Sequence, residues 1–141
     1  MLSNGTVLTH SCQHGPNECY GNKVHACAIA SLESGTAAAF VNCSMSQPDP
    51  PSAGPACANL LNVSYSRIEE CVNSQEGEFL LAAYGVRTHS QTPSVYWLPW
   101  ITYNNTFYEQ DLDASQQDLL PVVCKHLVTK PQSCYDVYRT S

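Results

Sequence analysis

The sequence predicts a disulfide-braced α/β domain, on three observations. Apolar residues recur at helical spacing through much of the N-terminal two thirds, an aromatic and β-branched run containing a turn follows, and eight cysteines are spread over 141 residues. A chain of this length is large enough for one domain with a real core, so the cysteines supplement a core rather than replace it. Their even number, in a chain poor in charge, favours disulfides over buried thiols; Cys12, Cys19, Cys57 and Cys134 stand among polar and turn-forming neighbours. That points to an oxidising compartment.

The elements follow in order. Residues 6–11, Thr-Val-Leu-Thr-His-Ser, form a short β-branched run and predict a strand. Gly15-Pro16-Asn17 is a turn cluster, with Asn17 placed to cap a helix opening at Glu18, where a carboxylate suits the positive end. From Asn22 to Val41, the residues Val24, Cys27, Ala28, Leu32, Ala39 and Phe40 keep a helical period, with Gly35 as a break between two helices. Gln47 to Pro55 holds four prolines in nine residues, which excludes helix and central strand and leaves a connector tied down by flanking cysteines. Cys57 to Leu61, Ile68 to Val72 and Phe79 to Ala83 predict three short helices. Val95 to Tyr103 is aromatic and β-branched, and Asn104-Asn105 turns it into Thr106-Phe107-Tyr108 as a β-hairpin of the core sheet. Asp113 or Ser115 is placed to cap a final helix with an apolar face of Leu119, Leu120, Val123, Cys124 and Leu127; Pro121 is tolerated near its first turns and Lys130-Pro131 ends it. There is no internal repeat.

Charge and hydropathy exclude two classes of partner. Six basic residues against twelve acidic ones, none of the cations clustered, argue against a nucleic-acid surface. No segment approaches the roughly 18 apolar residues of a membrane span. Four sequons, at Asn4, Asn42, Asn62 and Asn104, agree with the secretory route and predict glycosylation there. The first ten residues carry neither a basic n-region nor an apolar h-region, so they do not form a signal peptide. The expectation is therefore a protein of the secretory route, extracellular or within a compartment of that route, whose sequence here is N-terminally incomplete.

The segment from Cys12 to Cys27 reads C-Q-H-G-P-N-E-C-Y-G-N-K-V-H-A-C. It resembles the signature of the gamma-interferon-inducible lysosomal thiol reductase (GILT) family, C-Q-H-G-x-x-E-C-x-x-N-x-x-x-x-C. Cys12, Gln13, His14, Gly15, Glu18, Cys19, Asn22 and Cys27 fill every fixed position. The resemblance extends to Trp97-Leu98-Pro99-Trp100, which looks like the family's Pro-Trp segment, and to Leu119-Leu120, Val123-Cys124, Lys130-Pro131 and Cys134, which resemble its closing helix and disulfide. It implies an incomplete thioredoxin-like fold: a single domain over residues 1–141 that lacks the N-terminal strand and C-x-x-C helix and carries an inserted disulfide-held helical subdomain at about residues 44–90. It also implies reduction of protein disulfides in an acidic compartment, with Pro99 as the cis-proline that lies against the dithiol in such folds.

That chemistry needs a C-x-x-C. Its first cysteine, at a helix N-terminus, becomes a low-pKa thiolate that attacks the substrate disulfide, and its second resolves the mixed disulfide. At about pH 5 an unperturbed thiol of pKa about 8.5 is almost wholly protonated, so the shift is needed. No two cysteines in this chain stand three apart, so no catalytic residue is assigned and the chain is expected to be inactive. Cys12, Cys19, Cys27, Cys43, Cys57, Cys71, Cys124 and Cys134 are read as structural. Eight cysteines allow 105 pairings, of which short loops favour Cys43 with Cys57 and Cys124 with Cys134.

Zinc on His14 and His25 beside Cys12, Cys19 and Cys27 is a minor alternative, because the spacing fits no zinc knuckle. No metal or cofactor is expected; His14 is read as a contact beside the bridges, and Glu18 and Asn22 as holding the loop. Loss of a first strand and helix would leave a sheet edge unpaired and predicts self-association. Disulfide-bonded protein substrates are the implied partners of a complete enzyme. The alternative is a secreted, non-catalytic, disulfide-rich glycoprotein that uses the same scaffold as a binding module.

Overall fold

A computed structural model describes residues 9–136. They divide between two compact units, Met1–Arg87 and Thr88–Ser141.

The first unit is helical. Helix α1, Pro16–Ser31, opens with proline at its first position, where a missing N–H costs nothing. It buries Gly21, Val24, Ala26, Cys27 and Ala28. Gly21 allows a close approach there: a Cβ would stand 3.1 Å from the Cα of Pro51, in the short 3₁₀ turn Pro50–Ser52, tighter than an ordinary contact. Helix α2, Ser34–Met45, contributes Phe40, which is fully buried. Helices α3 (Gly54–Leu60), α4 (Ser66–Val72) and α5 (Gln75–His89) follow. One core gathers Val24, Cys27, Ala28, Phe40, Cys57, Ala58, Ile68, Cys71 and Val72, with Leu32, Leu61, Val63 and Leu80 packed around it. Burying a side chain the size of Phe40 or Ile68 contributes about 1.5–3 kcal/mol. Cys27–Cys71 joins α1 to α4 through this core, and Cys43–Cys57 joins α2 to α3.

The second unit is built on a hairpin and three helices. Strands β1 (Thr102–Tyr103) and β2 (Thr106–Phe107) pair antiparallel, Thr102 opposite Phe107 and Tyr103 opposite Thr106. Asn104 and Asn105 both take left-handed backbone, at φ 50° and 60°, the pair a two-residue turn of type I′ requires. Asparagine tolerates that region better than other side chains, so the turn forms without glycine. Helices α6 (Glu109–Gln117), α7 (Leu119–His126) and α8 (Gln132–Asp136) complete the unit. The Asp118 carboxylate caps α7 by accepting from the Leu120 N–H at 3.2 Å, and Cys124–Cys134 ties α7 to α8.

The described residues are thus mostly helical with a small two-stranded sheet, and several expectations are corrected. Half of the strand expected at 6–11 falls outside the described residues, and residues 9–11 form none. Helix α1 starts at Pro16 with Gly15, not Asn17, at the cap, because Gly15 alone fits φ 91°. The break between α1 and α2 comes at Leu32 and Glu33, both extended, so Gly35 sits in the first turn of α2. The proline-rich connector contains the 3₁₀ turn, which the fixed proline φ suits. Pairing in the hairpin is confined to two residues per strand, and Val95–Ile101 form no strand. The final helix is two: Asp118 breaks and recaps the chain, while Asp113 and Ser115 lie inside α6.

Candidate functional site

Residues 12–27 build a knot of interactions at the start of α1. The Gly15 N–H donates to the Cys12 carbonyl at 3.1 Å, turning the chain so that Cys12 meets Cys19 in a disulfide. Glu18, three residues past the cap, reaches back to accept from the His14 N–H at 2.6 Å, which satisfies a donor ahead of the helix in the manner of a capping box. The His14 ring nitrogen lies 3.3 Å from the same carboxylate but is well exposed, so the ion pair adds little. Asn22, one turn beyond Cys19, directs its side-chain N–H₂ at the Cys12 Sγ, 3.9 Å away. Cys27, two turns beyond Cys19, is without exposure and bonded to Cys71. The segment therefore closes a surface loop at one end and locks the core at the other.

The flanks of α1 carry polar contacts that sequence reading missed. His25 Nε2 meets the Ser44 hydroxyl on α2, and Ser44 is buried and also donates to the Val41 carbonyl. Burial pushes the His25 pKa below its usual value. Lys23 Nζ stands 2.7 Å from Glu78 Oε1, and His10 Nε2 stands 2.9 Å from Glu78 Oε2. The hydrogen bond from Lys23, and then that from His10, hold the Glu78 carboxyl below the usual range against the opposing effect of burial. Three charged or ionisable residues far apart in sequence give no local signal of such a cluster.

In the second unit the aromatic segment and α7 meet the hairpin. The Thr92–Pro93 and Leu98–Pro99 peptide bonds are cis. Pro99 is exposed, as are Tyr96, Trp97 and Leu98, while Trp100 stacks on Phe107 at 3.8 Å with its indole N–H buried and unpartnered. Asp111 is buried and accepts from Lys125 Nζ at 2.6 Å and pairs with His126 Nε2 at 2.7 Å. Those bonds, Lys125 first and His126 second, lower the Asp111 pKa. The His126 ring is stacked on Tyr103 at 4.2 Å and leans on Tyr108 at 4.5 Å; the Tyr103 hydroxyl meets Ser115 Oγ at 2.7 Å. The adjacent Lys125-His126 in the last turn of a helix is the one sequence hint of this arrangement.

All eight cysteines are paired: Cys12–Cys19, Cys27–Cys71, Cys43–Cys57 and Cys124–Cys134. Both short loops singled out by spacing are among them. Among the described residues no three His, Cys, Asp or Glu side chains gather as a metal site, and His14 and His25 engage Glu18 and Ser44 instead. Among the described residues no helix is long and apolar enough to cross a membrane. The sequon residues Asn42, Asn62 and Asn104 are exposed, and Asn4 lies outside the described residues.

Comparison with known proteins agrees with the signature. Residues 2–61 match the family described as gamma interferon inducible lysosomal thiol reductase (GILT). GILT-like protein 1 of Drosophila melanogaster is 34% identical over 94% of this chain and 58% of its own length. A gamma-interferon-inducible lysosomal thiol reductase-like protein of Anopheles gambiae is 29% identical over 96% of this chain and 62% of its own. The gamma-interferon-inducible lysosomal thiol reductase of Mus musculus is 28% identical over 90% and 51% respectively. The chain spans about half the length of the curated relatives it matches. Every fixed position of the signature is filled, the family match spans residues 2–61, and likeness to GILT and GILT-like proteins runs along almost the whole sequence.

Proposed function

We propose that this chain is the disulfide-braced scaffold of a GILT-type thiol oxidoreductase, which reduces protein disulfides in an acidic compartment of the secretory route, and that the stretch of sequence here does not turn over alone. One observation carries the second part: every cysteine is held in a bridge and no two are spaced C-x-x-C, so there is no thiolate to attack a substrate. In this reading α1 and the hairpin belong to a thioredoxin-like framework and the helices between about residues 44 and 90 are its insert, tied on by Cys27–Cys71 and Cys43–Cys57. Pro99, exposed ahead of β1, is the residue assigned to lie against the dithiol. Asn42, Asn62 and Asn104 are assigned as glycan sites on the strength of their exposure. The exposed Tyr96, Trp97 and Leu98 are the surface through which the isolated chain would self-associate.

The test is a thiol-reductase assay on the oxidatively refolded chain at about pH 5, with a denatured disulfide-bonded protein as substrate and a mild dithiol donor. No turnover above the donor alone is expected. The same chain joined behind a strand and helix carrying C-x-x-C is expected to gain turnover. Turnover by the chain unaided, or none in the fusion although it folds, contradicts the proposal.

A further inference from the structure

We infer that Cys12–Cys19 is a thiol–disulfide exchange site for an external dithiol, set apart from the three bridges that hold the fold. Exchange requires an incoming thiolate to reach a sulfur. Cys27, Cys57, Cys71, Cys124 and Cys134 are each at most 1% exposed, so every other bridge has at least one end sealed in a core; Cys12 and Cys19 are both partly exposed. Closure also stabilises this loop least, since the cysteines are 7 apart in sequence against 44, 14 and 10 for the others, and loop entropy grows with length. Gln13 and His14, inside the loop, are exposed, so opening it uncovers no apolar core.

The surroundings decide which sulfur leaves. The Asn22 N–H₂ directed at the Cys12 Sγ is placed to donate to negative charge as it develops there. The dithiol's thiolate therefore attacks the Cys19 Sγ; an S–S bond to the attacker forms, the Cys12–Cys19 bond breaks, and Cys12 departs as a thiolate that takes a proton from water. The second thiol of the dithiol then attacks its own sulfur in the mixed disulfide and expels Cys19. The dithiol ends as a cyclic disulfide, two electrons having passed to the protein, which holds two thiols. The Gly15 N–H to Cys12 carbonyl bond and the Glu18 clasp on His14 keep the open loop near its closed shape, so an oxidant restores the bridge. This inference concerns the redox state of one bridge rather than turnover of a protein disulfide, so it and the reductase assay fail independently.

The experiment exposes the native chain to dithiothreitol near neutral pH without denaturant, quenches with acid at intervals, alkylates, and reads each cysteine by peptide mass. Cys12 and Cys19 are expected to label at least about tenfold faster than any other pair, with the helical circular dichroism unchanged. Asn22→Leu, an exposed position whose folding is checked by the same spectrum, is expected to slow their labelling about three- to tenfold. Opening of another bridge first or at the same rate overturns the exchange site, and an unchanged rate in Asn22→Leu overturns Cys12 as the leaving sulfur.

Discussion

In the first unit the side chains most fully withdrawn from water include Phe40, Ile68, Cys27, Cys57 and Cys71, with Ser44 a buried polar group among them, whereas the second buries Asp111 and Ser115 beside Val122, Cys124 and Cys134. The first unit is therefore held by apolar packing through which two bridges pass, and its charged contacts, such as Lys23 with Glu78, lie toward its surface. The second leans on a carboxylate clasped by Lys125 and His126, on aromatic stacking, and on a single bridge. Non-directional burial tolerates a change of pH, while a buried carboxylate is stabilising only when ionised and paired. The two units should fail under different insults: the first when its bridges are cut, the second when Asp111 loses its charge or its partners.

The sharpest way to separate them is to remove the core bridge. Cys27→Ala with Cys71→Ala reopens the longest loop, and is expected to cost the first unit about 4 kcal/mol; hydrogen exchange should rise over the helices before Arg87. Removing Cys124 and Cys134 together is expected to cost about 3 kcal/mol and several degrees of melting temperature, with exchange rising in the second unit. A melt unchanged under non-reducing conditions would show that this bridge contributes nothing.

Acid tests the second unit. The folded pKa of Asp111 is depressed, so its contribution is fully present above the unfolded value of about 3.8 and is lost as pH falls through the lower folded value. Asp111→Asn is expected to lower the melting temperature near neutral pH, with the gap to wild type closing below about pH 4; a gap that persists in strong acid would show that packing rather than charge is at work. Glu78 is depressed in the same sense, so both carboxylates stay ionised at about pH 5.

The smallest effect belongs to His25. Burial lowers its pKa, so the folded state disfavours its proton: the stability it supports is present above about pH 6.5 and lost as pH falls through the lower folded value. His25→Gln, which keeps a hydrogen-bonding group beside Ser44, is expected to flatten the decline in stability below pH 6.5, by at most about 1.4 kcal/mol per pH unit. An identical pH profile in the variant would place the acid sensitivity elsewhere.

What was legible in the sequence follows the range of the interactions concerned. The hairpin turn at Asn104-Asn105 and the presence of three helices between residues 54 and 89 were readable because turn chemistry and apolar period act over a few residues. The break after α1 falls at an extended Leu32–Glu33 pair rather than at Gly35, and neither residue is a helix breaker that would mark it locally. The signature's loop roles for Glu18 and Asn22 could be anticipated from spacing, but the pairing of Cys12 with Cys19 and of Cys27 with Cys71 could not, since the second depends on α4 returning to α1. The Asp111 cluster was invisible for the same reason: its members become neighbours only once α7 turns back against α6 and the hairpin.

All eight cysteines are bridged, three bridges lying within the first unit and one within the second. Non-reducing proteolysis of the refolded chain with peptide mass mapping, after blocking any free thiol in denaturant, tests it most directly. Fragments joined as Cys12–Cys19, Cys27–Cys71, Cys43–Cys57 and Cys124–Cys134, with no blocked cysteine, are the predicted result. A blocked cysteine in the folded protein, or a bridge joining Cys124 or Cys134 to a cysteine before Arg87, would contradict it.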